Sequence, residues 1–245
     1  MEQSQKKQLT SLSIFFPVYN DWGTIASMAV SAINTAEKIA DNFEIILVDD
    51  GSEEKTQEIL RFLESRFQEI RVVHHPANQG YGGALRTGFK ESTKDFIFYT
   101  DGDAQYDVRE LLKLVPAMNN AIDVVNGFKV KRSDPFYRVI LGKIYQFTAK
   151  VMFQLPIRDV DCDFRFMRRS VFDKFQLRST SGTICVEMIY KMKKNGVRFA
   201  EAPVSHFFRS SGKSEFFNFS RLYRVGHDFL KLWWKLAILK RELSV

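Results

Sequence analysis

Cysteine is scarce in this 245-residue chain: there are two, Cys162 and Cys185, distant from each other and from any histidine pair. That argues against a disulfide framework or a zinc site and leaves two buried thiols as the expectation. Long hydrophobic runs are missing as well, with no window near the roughly 18 apolar residues of a membrane-spanning helix. Met1 to Thr10 is polar and lacks an apolar signal core, so the chain is expected to be made and kept in the cytoplasm. The four histidines, His74, His75, His206 and His227, have no ligand spacing and read as loop or packing residues. What is present is an ordinary globular composition, 45% hydrophobic and 27% charged, with phenylalanine unusually frequent at 23. Such a length suits one large α/β domain or two small ones.

The formal charge of +7 is unevenly spread. Residues 1–128 hold 12 basic and 19 acidic side chains, whereas residues 129–245 hold 24 and 10. Basic surface attracts nucleic acid, anionic lipid or phosphorylated small molecules, and charge alone does not choose among them.

The first half alternates strand and helix signals. Ser11 to Val18 reads as a buried strand that Pro17 brings to its end, followed by the loop Tyr19-Asn20-Asp21. Asp21 is placed to cap a helix from about Trp22 to Ile39. Phe43 to Val48 is a second strand ending in Asp49-Asp50-Gly51-Ser52, and the helix after it, Glu54 to Phe67, carries Ile59, Phe62, Leu63 and Phe67 as its apolar stripe. A third strand, Arg71 to His74, leads through Asn78 to Gly80, Gly82 and Gly83, which open a helix to about Glu91. These glycines serve either phosphate binding through helix N-terminal amides or close helix packing. The fourth strand, Phe96 to Thr100, ends in Asp101-Gly102-Asp103. Such units imply a parallel sheet whose ligand edge lies beyond the strand carboxyl ends. Two carboxylates there are either an ordinary polar turn or hard oxygen ligands for Mg²⁺ or Mn²⁺ with positions left for a diphosphate.

Taken together, Phe16-Pro-Val-Tyr-Asn-Asp21, Val48-Asp-Asp-Gly-Ser52, Asn78-Gln-Gly80 and Thr100-Asp-Gly-Asp103 resemble the motifs of the family 2 glycosyltransferases. The resemblance implies the GT-A fold: an α/β, Rossmann-like, mostly parallel central sheet flanked by helices, here with a C-terminal amphipathic helix. It implies a UDP- or GDP-linked sugar donor held by Pro17, Tyr19, Asn20, Asp49, Asp50, Asn78, Gly80, Asp101 and Gln105, although Asp49 is equally suited to bonding loop amides. Asp101, Asp103 and Gln105 would be the metal ligands.

Gly127-Phe-Lys-Val-Lys-Arg132, Asp159-Val-Asp-Cys-Asp-Phe-Arg165, Glu201-Ala-Pro-Val204 and Arg209-Ser-Ser-Gly-Lys-Ser214 look like the polyprenyl-phosphate, dolichyl-phosphate mannose synthase-like branch. Asp163 departs from it, standing where that branch usually has glycine. A lipid phosphate is already an anionic nucleophile and requires cations rather than a strong base. The resemblance therefore assigns catalysis to Asp103, Arg132, Arg209 and Lys213, and acceptor binding to Arg138, Asp161, Arg165, Glu187 and Ser214. Glu187, on an expected helix from Thr183 to Asn195, has a buried ion pair as its alternative role.

Residues 1–215 would form the catalytic domain, with a donor half over about 11–128 and an acceptor half over about 129–215. Residues 216–245 would form a basic amphipathic helix, with Leu222, Val225, Phe229, Leu232, Trp233, Leu236 and Leu239 on one face. That face suits a membrane interface, with packing on the domain or on a partner as the competitor. Phe136 to Leu155 has a wide apolar face of its own, either core or lipid-facing. The expected setting is cytoplasmic, peripheral at the inner face of the membrane, without nucleic acid; a homodimer or a membrane-protein partner stays open. A saccharide hydroxyl acceptor, with Asp161 or Asp163 as base, is the same-fold alternative. A nucleotide-sugar binder without catalysis and a nucleotidyltransferase are the alternatives of other classes, and the chain lacks the basic Gly-rich signature the latter needs after the first strand.

Overall fold

Neighbouring side chains of a strand point to opposite faces, so a run that is apolar at every position must be covered on both sides. The first strand, β1 (Leu9–Val18), shows the consequence. Leu12, Ile14, Phe16 and Val18 join one hydrophobic layer and Phe15 joins the other, all with almost no exposure. Burying each large side chain is worth about 1.5–3 kcal/mol, which makes β1 the natural centre of the sheet. The computed structural model describes residues 7–130, 136–209, 219–241 and 243; the side chains of 136–138 and 219–224 also stand outside the description.

The sheet has seven strands among the described residues, in the order β3 (Ile70–His74), β2 (Ala40–Asp49), β1, β4 (Phe96–Thr100), β6 (Phe164–Arg168), β5 (Val124–Lys129) and β7 (Phe199–Val204). Strands β2, β3 and β4 run parallel to β1 as their sequences require. β6 is antiparallel to both neighbours, β4 and β5, and β7 is parallel to β5. The chain leaves β1 in one direction for β2 and β3, then returns to place β4 on the other side of β1. That reversal makes a crevice at the carboxyl ends of β1 and β4, the position where open α/β sheets bind ligands.

Helices α1 (Ile25–Ile39), α2 (Glu54–Arg66) and α4 (Leu111–Leu114) pack on the Phe16 face. Helices α3 (Tyr81–Glu91), α5 (Phe136–Phe153), α6 (Ile184–Lys194) and α7 (Phe219–Trp233) pack on the Phe15 face. Two helix expectations change. Asp21 does not cap α1 with its side chain: the helix starts later, and Asp21 contributes its backbone carbonyl to the amides of Thr24 and Ile25. In α2, Leu60 is buried in place of Phe62, which is 63% exposed because the stripe turns toward Leu60 and Leu63.

The apolar face of α7 and of the helical turn Trp234–Ile238 that continues it is also reassigned. Phe229, Leu232 and Leu236 are buried in the domain, Phe229 packs against Tyr145 and Phe153, and the Trp233 indole donates to the Met152 carbonyl at 3.2 Å. Domain packing, not lipid, therefore covers these residues, whereas Leu239 stays exposed. Both cysteines are buried free thiols, with Cys162 pushed up to about 12 by burial.

Gly88 shows how tightly α3 lies on the sheet. A Cβ there would sit 2.3 Å from the ring of Phe15, which is itself stacked at 5.3 Å on Tyr99. We expect Gly88→Ala to lower the unfolding free energy by about 1–3 kcal/mol in urea titrations, because neither ring can yield in a close-packed interior. A loss below about 0.5 kcal/mol would show that the layer relaxes.

Candidate functional site

The loops that follow β1, β2 and β4 meet at the crevice, and each is shaped by its own polar residues. Asn20 sits in the left-handed region at φ 58°, its amide donates to Ser52 Oγ, and its side-chain oxygen accepts from the Glu53 amide at 2.8 Å. The β1 and β2 loops are thereby locked together. Thr24, which sequence reading passed over, is buried and donates to the Gly102 carbonyl at 2.7 Å, tying the start of α1 to the β4 loop. Pro17 lies next to the end of β1, paired with Val48, and its carbonyl is 3.3 Å from where a Cβ of Gly102 would stand.

Asp49 and Asp50 have different surroundings. Asp49 is fully buried, accepting from the Ser52 amide at 2.9 Å and pairing with His74 Nδ1 at 2.9 Å. Its two oxygens are used on the Ser52 amide and on His74 at the end of β3, so its assignment to the donor is corrected to a structural one. Asp50 uses Oδ1 for His75 Nδ1 at 2.7 Å and the Gln79 amide at 2.8 Å. His75 in turn meets Thr87 Oγ1 at 2.9 Å. It is a satisfied packing histidine, and it orients a site carboxylate. Tyr19 is 41% exposed at the rim, and Asn78 is exposed with its side-chain oxygen on the Gly80 amide.

The glycines of α3 serve packing. Gly80 has φ 81°, and a Cβ on Gly82 would lie 2.4 Å from the Ser179 carbonyl, while the Gly82 amide donates to the Thr180 carbonyl at 2.9 Å. That amide is spent on the 179–180 loop rather than left for a phosphate. Glu187 builds the same loop. Buried in α6, it accepts from the amides of Arg178 and Ser179 and pairs with buried Lys191 at 2.6 Å. Its acceptor-binding assignment is therefore corrected to a buried ion pair.

Asp101 and Asp103 close the site. Asp101 accepts from the Tyr81 hydroxyl at 2.9 Å, and its carboxyl is held well above the usual range by burial, with Asp163 and Asp103 adding repulsion. Asp103 is buried; Oδ1 accepts from the Gln105 amide at 3.0 Å, and Oδ2 takes Nη2 and Nε of Arg209 at 2.7 and 3.1 Å. Ala104 between them adopts φ 58°, a conformation that alanine rarely takes and that the flanking contacts impose. Gln105 donates its side-chain NH₂ to the Phe207 carbonyl at 3.2 Å, leaving its side-chain oxygen as the remaining acceptor.

The second half contributes less than expected to an open surface. Arg165 is fully buried: Nε donates to Asn126 at 2.7 Å, and other nitrogens contact the Tyr99 hydroxyl, the Val160 carbonyl and Asp163. It braces β4, β5 and β6 and cannot reach an acceptor phosphate, so that assignment is corrected. Asp163 lies between Arg165, Cys185 and Tyr99, and Asp161 gives its backbone carbonyl to Lys129 at 2.7 Å. Arg132, Lys213, Ser214 and the side chain of Arg138 lie outside the described residues.

The sheet of this α/β protein reverses its strand order at a cluster of carboxylates, and an arginine pairs with one of them. The Glycosyl transferase family 2 profile matches residues 13–176, and the chain belongs to that family. It is 26% identical over 239 residues to glycosyltransferase AglD of Haloferax volcanii, covering 94% of this chain and 38% of the relative. It is 30% identical over 220 residues to undecaprenyl-phosphate 4-deoxy-4-formamido-L-arabinose transferase of Edwardsiella ictaluri, covering 87% of this chain and 65% of that one. The chain thus spans less than two thirds of each relative. The fold matches crystalline glucosyl-3-phosphoglycerate synthase of Mycobacterium tuberculosis in complex with Mn²⁺, UDP and phosphoglyceric acid, with TM-score 0.66, 16% identity, and coverage of 92% and 78% of the two chains. This is the GT-A fold.

Asp21 supplies a test of the electrostatics. Its carboxyl is pushed up to about 6, chiefly by burial, against a hydrogen bond from the Tyr19 amide; Asp103 adds to the rise and Arg209 opposes it. Between about pH 4 and 6 the folded chain keeps a proton that the unfolded chain has released, so this residue makes stability fall as pH rises through that window. We expect Asp21→Asn to gain about 1 kcal/mol over the native protein at pH 7 and to lose that advantage at pH 4. Urea unfolding at both pH values measures it, and a difference independent of pH contradicts it.

Proposed function

We propose that this chain transfers a sugar from a nucleoside-diphosphate sugar to a polyprenyl phosphate, with Mg²⁺ or Mn²⁺ and with inversion by direct displacement. The observation that carries the reading is the Asp101 and Asp103 pair at the sheet's switch point with Arg209 on Asp103. The two relatives' names, a glycosyltransferase and an undecaprenyl-phosphate sugar transferase, support the reaction and the acceptor.

The residues fit a divalent ion. Asp101 is disfavoured as an anion by burial and by neighbouring acids, and a cation relieves both. Carboxylate oxygens are hard ligands of the kind Mg²⁺ and Mn²⁺ take, and an ion held by one or two carboxylates keeps positions for a substrate diphosphate. Asp101, Asp103 and the side-chain oxygen of Gln105 would hold it, and it would neutralise the leaving diphosphate. Pro17, Tyr19 and Asp50 would lie around the base and ribose. An acceptor phosphate oxygen attacks the anomeric carbon as the bond to the diphosphate breaks, and the diphosphate departs with the electron pair. No proton has to be removed, whereas a saccharide hydroxyl would need a base. Asp163 is poorly placed for that task, since its Oδ1 is engaged by Arg165, Tyr99 and Cys185.

The acceptor is a lipid, and the surface offers a face for it. On α5, Ile140, Ile144, Phe147 and Val151 recur at helical spacing and are exposed, and Leu230, Trp234 and Ile238 do the same on the C-terminal helix packed beside it. No described helix is long and apolar enough to cross a membrane. Lys143 and Lys150 are exposed on α5, which has no acidic residue, and Lys240 and Arg241 are exposed at the end of the C-terminal helix. A second copy would set lysine against lysine, so this face suits the anionic inner surface of a membrane.

Two measurements test the reading. A screen of sugar nucleotides with a short polyprenyl phosphate and Mg²⁺ or Mn²⁺ should release nucleoside diphosphate. Asp103→Asn should lower that rate by roughly two orders of magnitude or more, and an unchanged rate removes the cation assignment. Phe147→Ser with Ile144→Ser should reduce sedimentation with phosphatidylglycerol vesicles about tenfold without lowering the melting temperature. Equal sedimentation, or a dimer lost in the variant, would move this face to another partner.

A further inference from the structure

The segment that leads to Arg209 is laced to the stretch after β4 from Ser205 to Phe207. The Ser205 amide and hydroxyl both donate to Glu110 at 2.7 Å, the His206 ring lies edge-on to Tyr106 at 5.2 Å, and the Phe207 amide donates to the Gln105 carbonyl at 2.8 Å. Gln105 returns a bond to the Phe207 carbonyl. The guanidinium is thus delivered to Asp103 by a fixed strap and does not reach it by the chance of a long side chain. Its two nitrogens converge on one oxygen, Oδ2, while Oδ1 is taken by the Gln105 amide. Neither oxygen of this carboxylate is left idle, so a divalent ion coming to Asp103 meets an oxygen that already has a cationic partner.

From this geometry, and resting on the donor-site reading above, we propose that Arg209 is the resident counter-ion of Asp103 in the donor-free enzyme. It competes with the divalent cation for Oδ2 and passes to the diphosphate when the cation takes that oxygen. The physical reason is charge balance. Asp21, Asp101 and Asp103 all act on Arg209, so without a ligand the guanidinium screens the cluster. When cation and diphosphate arrive together, the cation satisfies the acids and the diphosphate offers the guanidinium a new anion with good bidentate geometry. Cation alone displaces Arg209 from Asp103 Oδ2 and brings no anion in exchange for that carboxylate. Cation and nucleotide should therefore bind cooperatively, and by linkage each should tighten the other by the same factor. The exchange also makes Arg209 available to the leaving group only when a donor is loaded.

Binding of Mn²⁺ alone, read from the loss of the free-ion electron paramagnetic resonance signal, tests this on the full chain without turnover. Arg209→Gln should bind Mn²⁺ about tenfold more tightly than the native protein, within the usual range of coupling between sites. Arg209→Lys, which keeps the charge but cannot set two N–H groups on one oxygen, should fall between and carries the test if the glutamine variant does not fold. Added UDP or GDP should tighten Mn²⁺ binding in the native protein and do so less in Arg209→Gln. An equal or weaker Mn²⁺ affinity in a folded variant overturns the exchange and leaves the donor site standing. Mn²⁺ binding that Asp103→Asn does not weaken overturns the cation assignment and the exchange with it.

Discussion

Carboxylates crowded into a partly dry crevice repel one another, and the structure around this site is arranged to tolerate that repulsion. Asp101 is buried beside Asp103 and Asp163, and Asp21 stands across from them with its carboxyl pushed up to about 6. The offsetting groups come from distant parts of the chain: Tyr81 at the start of α3 donates to Asp101, and Arg209 from the strap after β7 donates to Asp103. Tyr81 and Arg209 thus bring one hydroxyl and one guanidinium to a buried acid cluster whose members disfavour one another's charge. Its cost in stability is met by the two hydrophobic layers on either side of β1.

Those layers also set the site's precision. Gly88 lets α3 lie against Phe15, and Phe15 stacks on Tyr99, whose hydroxyl contacts both Asp163 and Arg165. The position of the helix that carries Tyr81 is therefore coupled through ring packing to the buried arginine that braces β4, β5 and β6. Glu187 and Lys191 act from the other side. By holding the 178–180 turn against Gly80 and Gly82, they fix the start of α3 from which Tyr81 reaches Asp101. Groups that a motif reading assigns to ligands turn out to be the mounting of the groups that face the crevice.

The uneven charge of the chain follows the same division of labour. Acids of the first half line the crevice, and cations of the second half partly enter it, as Arg209 does, and partly go inside, as Arg165 and Lys191 do. Others, such as Lys143 and Lys150, rim an apolar helix face. A net charge read from composition adds these three populations together, though they do different physical work.

The sequence by itself determined the four parallel strands, the helices between them, and the loops at which Asp21, Asp50, Asp101 and Asp103 stand. These depend on local periodicity and on turn residues that each stretch carries within itself. It also determined that two thiols would be buried. What it could not separate was which polar residue faces the crevice and which is consumed behind it. Asp49 and Asp50 are neighbours in the chain, yet one closes its loop and the other keeps an oxygen for the site; Arg165 and Arg209 are both arginines of a basic half, yet one is sealed in the core. The antiparallel insertion of β6 between β4 and β5, and the packing of Phe229 and Leu236 of the C-terminal helix on the domain, were likewise decided by tertiary structure. An amphipathic helix has the same pattern whether lipid or protein covers it, and a charged side chain the same identity whether a partner or water does. Only long-range contacts select between them.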